Sequence, residues 1–425
     1  MYELAKKLFN IPRSITGDGF RRSLDILNLA AGGGGITKFS IPSGTKCFDW
    51  IVPAEWIVRD AYIVAPSGEK ICEFKKHNLH LLNYSAPVHK TLSLKELQSH
   101  LYSLPHLPDA IPYVTSYYEK RWGFCIGHNQ KTSLKDGIYE VFIDTEFNSK
   151  GELNYGEILV PASSCSKDEI LISTYLCHPQ MANNELSGPV VLTELIKWVK
   201  TLKNREFNYR FIIVPETIGS ICYISKHYEA LKQNVKAGFV LSCIGDERAY
   251  SVVLSPDEDS LSDKAALHTV KFLSKNPQIY SFLYRGSDER QFNTPDLNLG
   301  IVTLCRSKFG EYKEYHTSLD DLSLITKKGL EEGLLYAKNM ILNLEINKTY
   351  RLNTTCEPNL GSRGLISTIN KGAYPSDMTL IRDFLAYCNG KRSVIDIADK
   401  LGVEAKSLKD SVENLLKFEL IKEVR

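Results

Sequence analysis

Imidazole, carboxylate and amide groups recur in this chain where apolar runs end: Cys177-His178-Pro179, Asn183-Asn184-Glu185-Leu186-Ser187-Gly188, Pro215-Glu216-Thr217-Ile218-Gly219, Ser242-Cys-Ile-Gly245-Asp246-Glu247, Gly286-Ser-Asp288-Glu289-Arg290 and Glu314-Tyr315-His316-Thr317. A histidine at the carboxyl end of a parallel strand, followed by a loop of oxygen donors, is where α/β hydrolases can hold catalytic zinc. Such a site needs about three ligands, an open position for water and a carboxylate to take the water's proton. The candidate groups are His178, Asn184, Glu216, Asp246, Asp288 and His316. Each residue also has a plainer role. Glu216 is equally suited to cap the following helix, Asn184 beside Ser187 to cap the helix near Gly188, and Asp246 and Asp288 to ordinary turns.

Between about Tyr139 and Asn347, strand runs alternate with helical ones. The strands are Val141–Thr145, Glu157–Val160, Ile170–Leu176, Arg210–Val214, Gly238–Ser242, Ser251–Leu254 and Ile301–Leu304, and the helices are Pro189–Leu202, Ser220–Leu231, Asp263–Leu273 and Lys327–Leu344. This alternation predicts an α/β fold, a doubly wound and largely parallel sheet covered on both faces. Pro189 suits a first helical turn, where a missing N–H costs nothing. Residues to about Ala31 have helical spacing and end in Gly32-Gly33-Gly34-Gly35, a flexible turn rather than a phosphate loop because no Gly-Lys-Ser/Thr follows.

Residues 46–130 carry short alternating or aromatic runs broken by prolines, the texture of a small β-rich domain inserted into the larger one. The larger domain is then residues 1–45 and 131–347. From about Tyr350 a loop rich in Asn, Gly and Pro precedes helices at Met378–Cys388, Val394–Leu401 and Ala405–Phe418, with Gly402 as a C-cap and a closing strand at Leu420–Val424. Three helices and a strand over residues 348–425 predict a winged helix.

A chain of 425 residues exceeds a single core and fits two or three domains. The net charge of +2, with 43% hydrophobic and 24% charged residues, gives no global attraction to nucleic acid or anionic membrane. The tail's third helix mixes Lys406, Lys409 and Lys417 with Asp410 and Glu413, favouring packing or homo-oligomer formation over DNA binding. Met1–Phe9 lacks the apolar core and cleavage site of a signal peptide, and no apolar run reaches the length of a membrane span. The 10 cysteines include no CxxC pair; reduced, buried thiols in a cytoplasmic protein are expected.

The order His178, Asn183-Asn184-Glu185-Leu-Ser-Gly188, Glu216-Thr-Ile-Gly219 and Tyr315-His-Thr317 resembles the dinuclear zinc aminopeptidase superfamily. More specifically, the chain resembles bacterial aminopeptidase-like proteins often associated with polysaccharide biosynthesis. The match rests on Pro12-Arg-Ser-Ile-Thr-Gly17, Phe48-Asp-Trp-Ile-Val-Pro-Ala-Glu-Trp56, Ile111-Pro-Tyr-Val-Thr-Ser-Tyr-Tyr118, Arg121-Trp-Gly-Phe-Cys125, Cys177-His-Pro179, Pro215-Glu-Thr-Ile-Gly219 and Glu314-Tyr-His-Thr-Ser-Leu-Asp-Asp321. That resemblance implies a three-layer aminopeptidase-like domain with an inserted β domain and a C-terminal winged helix. In the zinc aminopeptidases the position four before Gly188 is an aspartate bridging two metals, and here it is Asn184. The acidic pair at the next strand end is Glu216 and Thr217, and the remaining aspartate ligand maps near Ser242, with Asp246 the nearest carboxylate. The resemblance so adjusted implies one zinc ion rather than two, held by His178, His316 and an oxygen from Asn184, Glu185 or Asp246, with Glu216 as the base.

Tyr113, Tyr117, Tyr118 and Trp122 either line a substrate cleft or fill a β core. Arg13 and Arg121 suit an anionic substrate group or surface ion pairs, and Asp288 supplies a further carboxylate for substrate. The leading expectation is a zinc-dependent, aminopeptidase-like hydrolase acting on an amide of a small aminoacylated or peptide-like substrate. Its alternatives are a pseudo-peptidase serving as a binding module, and a regulator acting through the winged helix.

Overall fold

A computed structural model describes residues 1–365 and 376–424. Its main sheet has eight strands: β1 (Thr37–Pro42), β2 (Glu152–Val160), β3 (Glu169–Tyr175), β4 (Asn208–Val214), β5 (Val235–Leu241), β6 (Ser251–Val253), β7 (Gln278–Tyr280) and β8 (Val302–Cys305), in the order β1-β2-β4-β3-β5-β8-β6-β7. The four central strands, β4, β3, β5 and β8, run parallel. Antiparallel pairing brings in β1 and β2 on one side and β6 on the other, so the sheet is mixed, with its parallel part confined to the middle.

The central strands read as continuous apolar runs because both faces are covered. In β3, Ile170 and Ile172 face one core while Leu171 faces the other. The first core packs against helices α1 (Tyr2–Phe9), α2 (Asp18–Ala30), α3 (Ser187–Thr201), α5 (Leu261–Leu273) and α6 (Lys327–Ile346). The second packs against α4 (Ile218–Asn234) and against the inserted unit. The helical spacing read through to Ala31 is two helices, and the segment between them, containing Pro12, turns Arg13 into the interior. Gly32, Gly33 and Gly34 all take positive φ after α2, as a glycine turn requires.

The inserted unit is built on a four-stranded sheet in the order Lys70–Ile71, Glu55–Val64, Ile138–Asn148, Val88–Ser93. Val141 lies opposite Ile63 and Ile143 opposite Ala61, so the run Val141–Thr145 belongs here and not to the main sheet. Burial alternates along Ile138–Thr145, the mark of a strand covered on one face, whereas β3 is buried throughout. Five residues were too short a window to separate the two patterns.

The C-terminal unit has a three-stranded sheet of Thr349–Leu352, Asn389–Ser393 and Ile421–Glu423, with helices α7 (Ser376–Tyr387), α8 (Val394–Leu401) and α9 (Lys409–Lys417). Tyr350, read as the start of a loop, pairs with Glu423 inside this sheet, while part of the Asn/Gly/Pro-rich loop lies outside the described residues. Gly402 ends α8 at φ 69°, the expected cap. His268 on α5 latches the unit to the main domain: its Nδ1 lies 3.0 Å from Asp399, and its Nε2 accepts the Ala405 N–H at 2.9 Å. Among the described residues no helix is long and apolar enough to cross a membrane.

Candidate active site

Strand β3 ends at Tyr175 and β4 at Val214, so His178 and Glu216 emerge side by side beyond the carboxyl ends of adjacent parallel strands, where open α/β sheets form ligand sites. His316 arrives on the long connection between β8 and α6. The two imidazole rings lie 5.3 Å apart, and His178 Nε2 stands 3.6 Å from Glu216 Oε2. Three groups far apart in the sequence thus converge.

The other nitrogen of His178, Nδ1, lies 3.1 Å from Glu185 Oε2. Arg13 donates from Nε to Glu185 Oε1 at 3.0 Å and to the His178 carbonyl at 3.1 Å, and from Nη1 to the Leu8 carbonyl at 2.6 Å. Arg13 is therefore wholly internal. It fixes Glu185, which orients His178, instead of standing open to solvent. Burial works to lower the pKa of His178, but the Cys177 sulfur and the carboxylates of Glu185 and Glu216 together raise it well above its ordinary value. Burial and the nearby His178 hold His316 well below its own, so His316 is neutral, and its buried Nε2 has no hydrogen-bond partner.

Glu216 keeps 21% of its side chain open. Burial raises its pKa against the opposing pull of His178, the Ser287 hydroxyl and Arg290. Ser287 donates to Glu216 Oε1 at 2.9 Å, Asp288 Oδ1 accepts the Thr217 N–H and the Ser220 hydroxyl, each at 2.8 Å, and Arg290 Nη2 donates to Thr217 Oγ1 at 2.5 Å. Asp288 and Arg290 thus clamp Thr217 at φ 67°, a rare conformation for a β-branched residue that persists only when its surroundings hold it. Asp288, expected to bind substrate, instead lies buried beneath this turn. Its pKa is raised by burial and by Glu216.

The loop before α3 winds as a π-helical turn over Ala182–Leu186. Its free N–H groups are capped from afar: Asp320 accepts from Ala182, Asn183 and Asn184 at 3.1, 2.6 and 2.9 Å and from the Tyr312 hydroxyl at 2.9 Å. Gly188 permits the close approach of α3 to the sheet, since an added Cβ would strike Thr174 Oγ1 and the Leu241 carbonyl. Asp246 is not a free ligand. Its oxygens accept from Asn183 Nδ2, the Ser307 N–H and hydroxyl and the Arg248 N–H, all at 2.8–3.0 Å. Asn184 Oδ1 accepts from the Tyr175 hydroxyl at 3.0 Å, Tyr175 also meets Ser242 at 2.7 Å, and Asn184 Nδ2 is buried without a partner. A half-turn of that amide lets Nδ2 donate to Tyr175 and leaves Oδ1 free for a cation.

The inserted unit supplies one wall. The His316 carbonyl accepts the Tyr113 N–H at 2.8 Å, and Ser318 exchanges hydrogen bonds with Ile111. The Tyr113 ring lies 5.1 Å from both His178 and His316, with its hydroxyl 2.6 Å from that of Tyr117. Tyr113 thus lines the site and Tyr117 backs it. Arg121 does neither: it is exposed and joins Glu119 and the Thr115 carbonyl. Sequence reasoning did not single out Asp320, Ser287, Arg290 or Tyr175 as site residues. The first three stand within the stretches already chosen, and Tyr175 looked like strand core.

The donor set fits a zinc-type ion. Glu185 on Nδ1 leaves His178 Nε2 facing the site, the carboxylate–histidine arrangement that metal-ligating histidines adopt. The unpartnered Nε2 of His316 is a second donor, and the turned Asn184 amide would present a free oxygen. The 3.6 Å between His178 Nε2 and Glu216 Oε2 is ion-pair distance, so a metal on His178 would take the place of the imidazole proton that faces Glu216. Cys177, His178 and Glu185 also lie close together. They are a poorer cage, because burial pushes the Cys177 thiol up to about 11 and its sulfur accepts the Glu216 N–H.

Comparison with known proteins agrees with this architecture. Residues 2–347 match a family described as a domain of unknown function, DUF4910, and residues 348–423 match a winged helix-turn-helix family. A Clostridium acetobutylicum protein, described as a candidate polysaccharide biosynthesis protein with an aminopeptidase-like domain, is 40% identical over 99% of this chain and 96% of its own length. The crystal structure of a candidate peptidase from Clostridium acetobutylicum superposes with a TM-score of 0.91 at 39% identity, covering 100% of this chain and 96% of that one. A zinc aminopeptidase from Bacillus subtilis superposes with a TM-score of 0.56 at 14% identity, over 80% of this chain and 93% of its own, a likeness of fold. The chain therefore belongs to the DUF4910 family, with an aminopeptidase-like α/β domain followed by a winged helix.

Proposed function

We propose that this protein is a metal-dependent hydrolase that cleaves an amide in a small aminoacylated or peptide-like substrate, with a single zinc ion held by His178, His316 and the Asn184 amide oxygen. The observation that carries the reading is the convergence of the two histidines, one with a buried and unpartnered Nε2, beside a carboxylate whose pKa is raised. A bound zinc ion supplies positive charge that polarises the amide carbonyl and acidifies water. Glu216 takes a proton from the attacking water and delivers it to the leaving amine, a task suited to a carboxylate raised toward neutral pH. Ser287 holds one Glu216 oxygen and leaves the other facing the site, while Tyr113 closes one side against water.

The relative's description supports placing the substrate in surface polysaccharide assembly. Ten free cysteines, eight of them buried, support a cytoplasmic setting. The test is hydrolysis of aminoacyl p-nitroanilides and short peptides with zinc added, comparing wild type with Glu216→Gln. The reading predicts activity that the variant loses by at least about 100-fold; equal rates in the two proteins contradict it.

A second reading, a pseudo-peptidase that binds an amine or sugar intermediate, is favoured by one observation. Asn184, Ser242 and Thr217 are neutral residues tied into hydrogen bonds with Tyr175 and Arg290. It predicts binding without turnover in the same assay.

A further inference from the structure

The helix Glu289–Phe292 follows Ser287, which bonds to Glu216, and its second residue, Arg290, makes no direct ion pair among the described residues. Arg290 is partly buried. Its one hydrogen bond, from Nη2, goes to a neutral partner, Thr217 Oγ1, and its buried Nε has none. Among the described residues, no carboxylate lies within ion-pairing distance of it.

That isolation is built by the neighbouring acids. Glu289, next in the chain, turns away and accepts the Gly286 and Ser287 N–H groups and the Thr303 hydroxyl at 2.7, 3.1 and 2.9 Å. Asp288 faces Thr217 and Ser220, and Glu216 is held by Ser287. Each of these carboxyl groups makes its hydrogen bonds to groups other than the guanidinium. A desolvated cation ordinarily pairs with a carboxylate, because leaving it unpaired is costly. Arg13 and Arg210, both largely buried, show the usual arrangement, each paired with a carboxylate. Arg290 also acts electrostatically on Glu216 and on Tyr118, an exposed aromatic of the inserted unit. It therefore stands on the seam between the two units, beside the carboxylate assigned to proton transfer.

We propose that Arg290 is a specificity residue that receives an oxyanion of the substrate, a carboxylate or phosphate-type group carried close to the amide under attack. The guanidinium fork matches such groups, and charge-assisted pairs of this kind are roughly twice as strong as neutral hydrogen bonds. Thr217 fixes one arm of the fork, so the remaining donors are presented with little further ordering. This assignment rests on the hydrolase reading for its substrate, but its test does not require turnover.

Ligand-detected NMR on the full-length protein would compare N-acetylglycine, N-acetylglycinamide and inorganic phosphate as probes. Wild type should bind N-acetylglycine about tenfold more tightly than its neutral amide, as a single charge-assisted pair allows. In Arg290→Gln, which can still bond to Thr217, the ratio should fall to about one, and Arg290→Lys should keep part of it. Melting curves of both variants would show that they fold. Arg290-dependent binding of N-acetylglycine or of phosphate supports the assignment and tells which oxyanion is received. Absence of Arg290-dependent binding for both overturns it. Loss of the hydrolase reading through the Glu216→Gln assay leaves this ratio unchanged, so the two failures are separable.

Discussion

His178 Nδ1 and Glu185 Oε2 lie 3.1 Å apart with both side chains almost fully buried, and this pair decides which imidazole nitrogen faces the site. Arg13 holds the other Glu185 oxygen. A chain running from the first interhelical segment to the site thus fixes a ring that would otherwise rotate.

Glu185→Gln removes the charge at the centre of that chain. It leaves Arg13 buried without an anion, which costs about 3–5 kcal/mol, and it weakens the hold on His178, which should lower zinc affinity by about 10–100-fold. Denaturant unfolding and competition with a zinc chelator would measure the two effects. Unchanged zinc affinity in a folded variant would show that Glu185 serves stability alone.

Gly188→Ala tests the seating of α3. The new methyl meets Thr174 Oγ1 and the Leu241 carbonyl, neither of which can retreat without disturbing β3 or β5. Overpacking of this kind costs about 1–3 kcal/mol, so the midpoint of urea unfolding should fall. A variant as stable as wild type would mean that the loop carrying Asn184 moves more readily than its hydrogen bonds suggest.

Much of the main-domain fold was legible because its strands are buried on both faces and its helices carry capping and periodic signals. The sites of His178, Glu216 and His316 were legible for a related reason: a polar residue just after a long apolar run has few places to go in a parallel sheet. What could not be read was which polar groups would satisfy one another. Asp246 and Asn183 lie 63 residues apart in sequence, and Asp320 reaches the π turn from 136 residues away or more. No local pattern announces such partners. Arg13 and Arg121 looked alike as cations, yet the break between α1 and α2 buries the first while the second stays on the surface.

Asp320 gives a pH signature. Burial pushes its carboxyl up to about 6, despite four donors that favour the charged form. The folded state then binds this proton more tightly than the unfolded chain, whose aspartate titrates near about 3.9. Its contribution to stability is greatest below about pH 4 and declines as the pH rises to about 6, by about 3 kcal/mol in all. Melting curves between pH 4 and 6.5 should show a steeper loss in wild type than in Asp320→Asn. Parallel curves would contradict the raised value.

The central claim is that His178 and His316 hold one metal ion. Protein purified without chelators, loaded with zinc and washed, should retain about one zinc per chain by elemental analysis, the stoichiometry of a single set of ligands. His178→Ala and His316→Ala should each retain almost none while remaining folded by circular dichroism. Wild-type protein that retains no zinc, or variants that retain as much as wild type, would contradict the account.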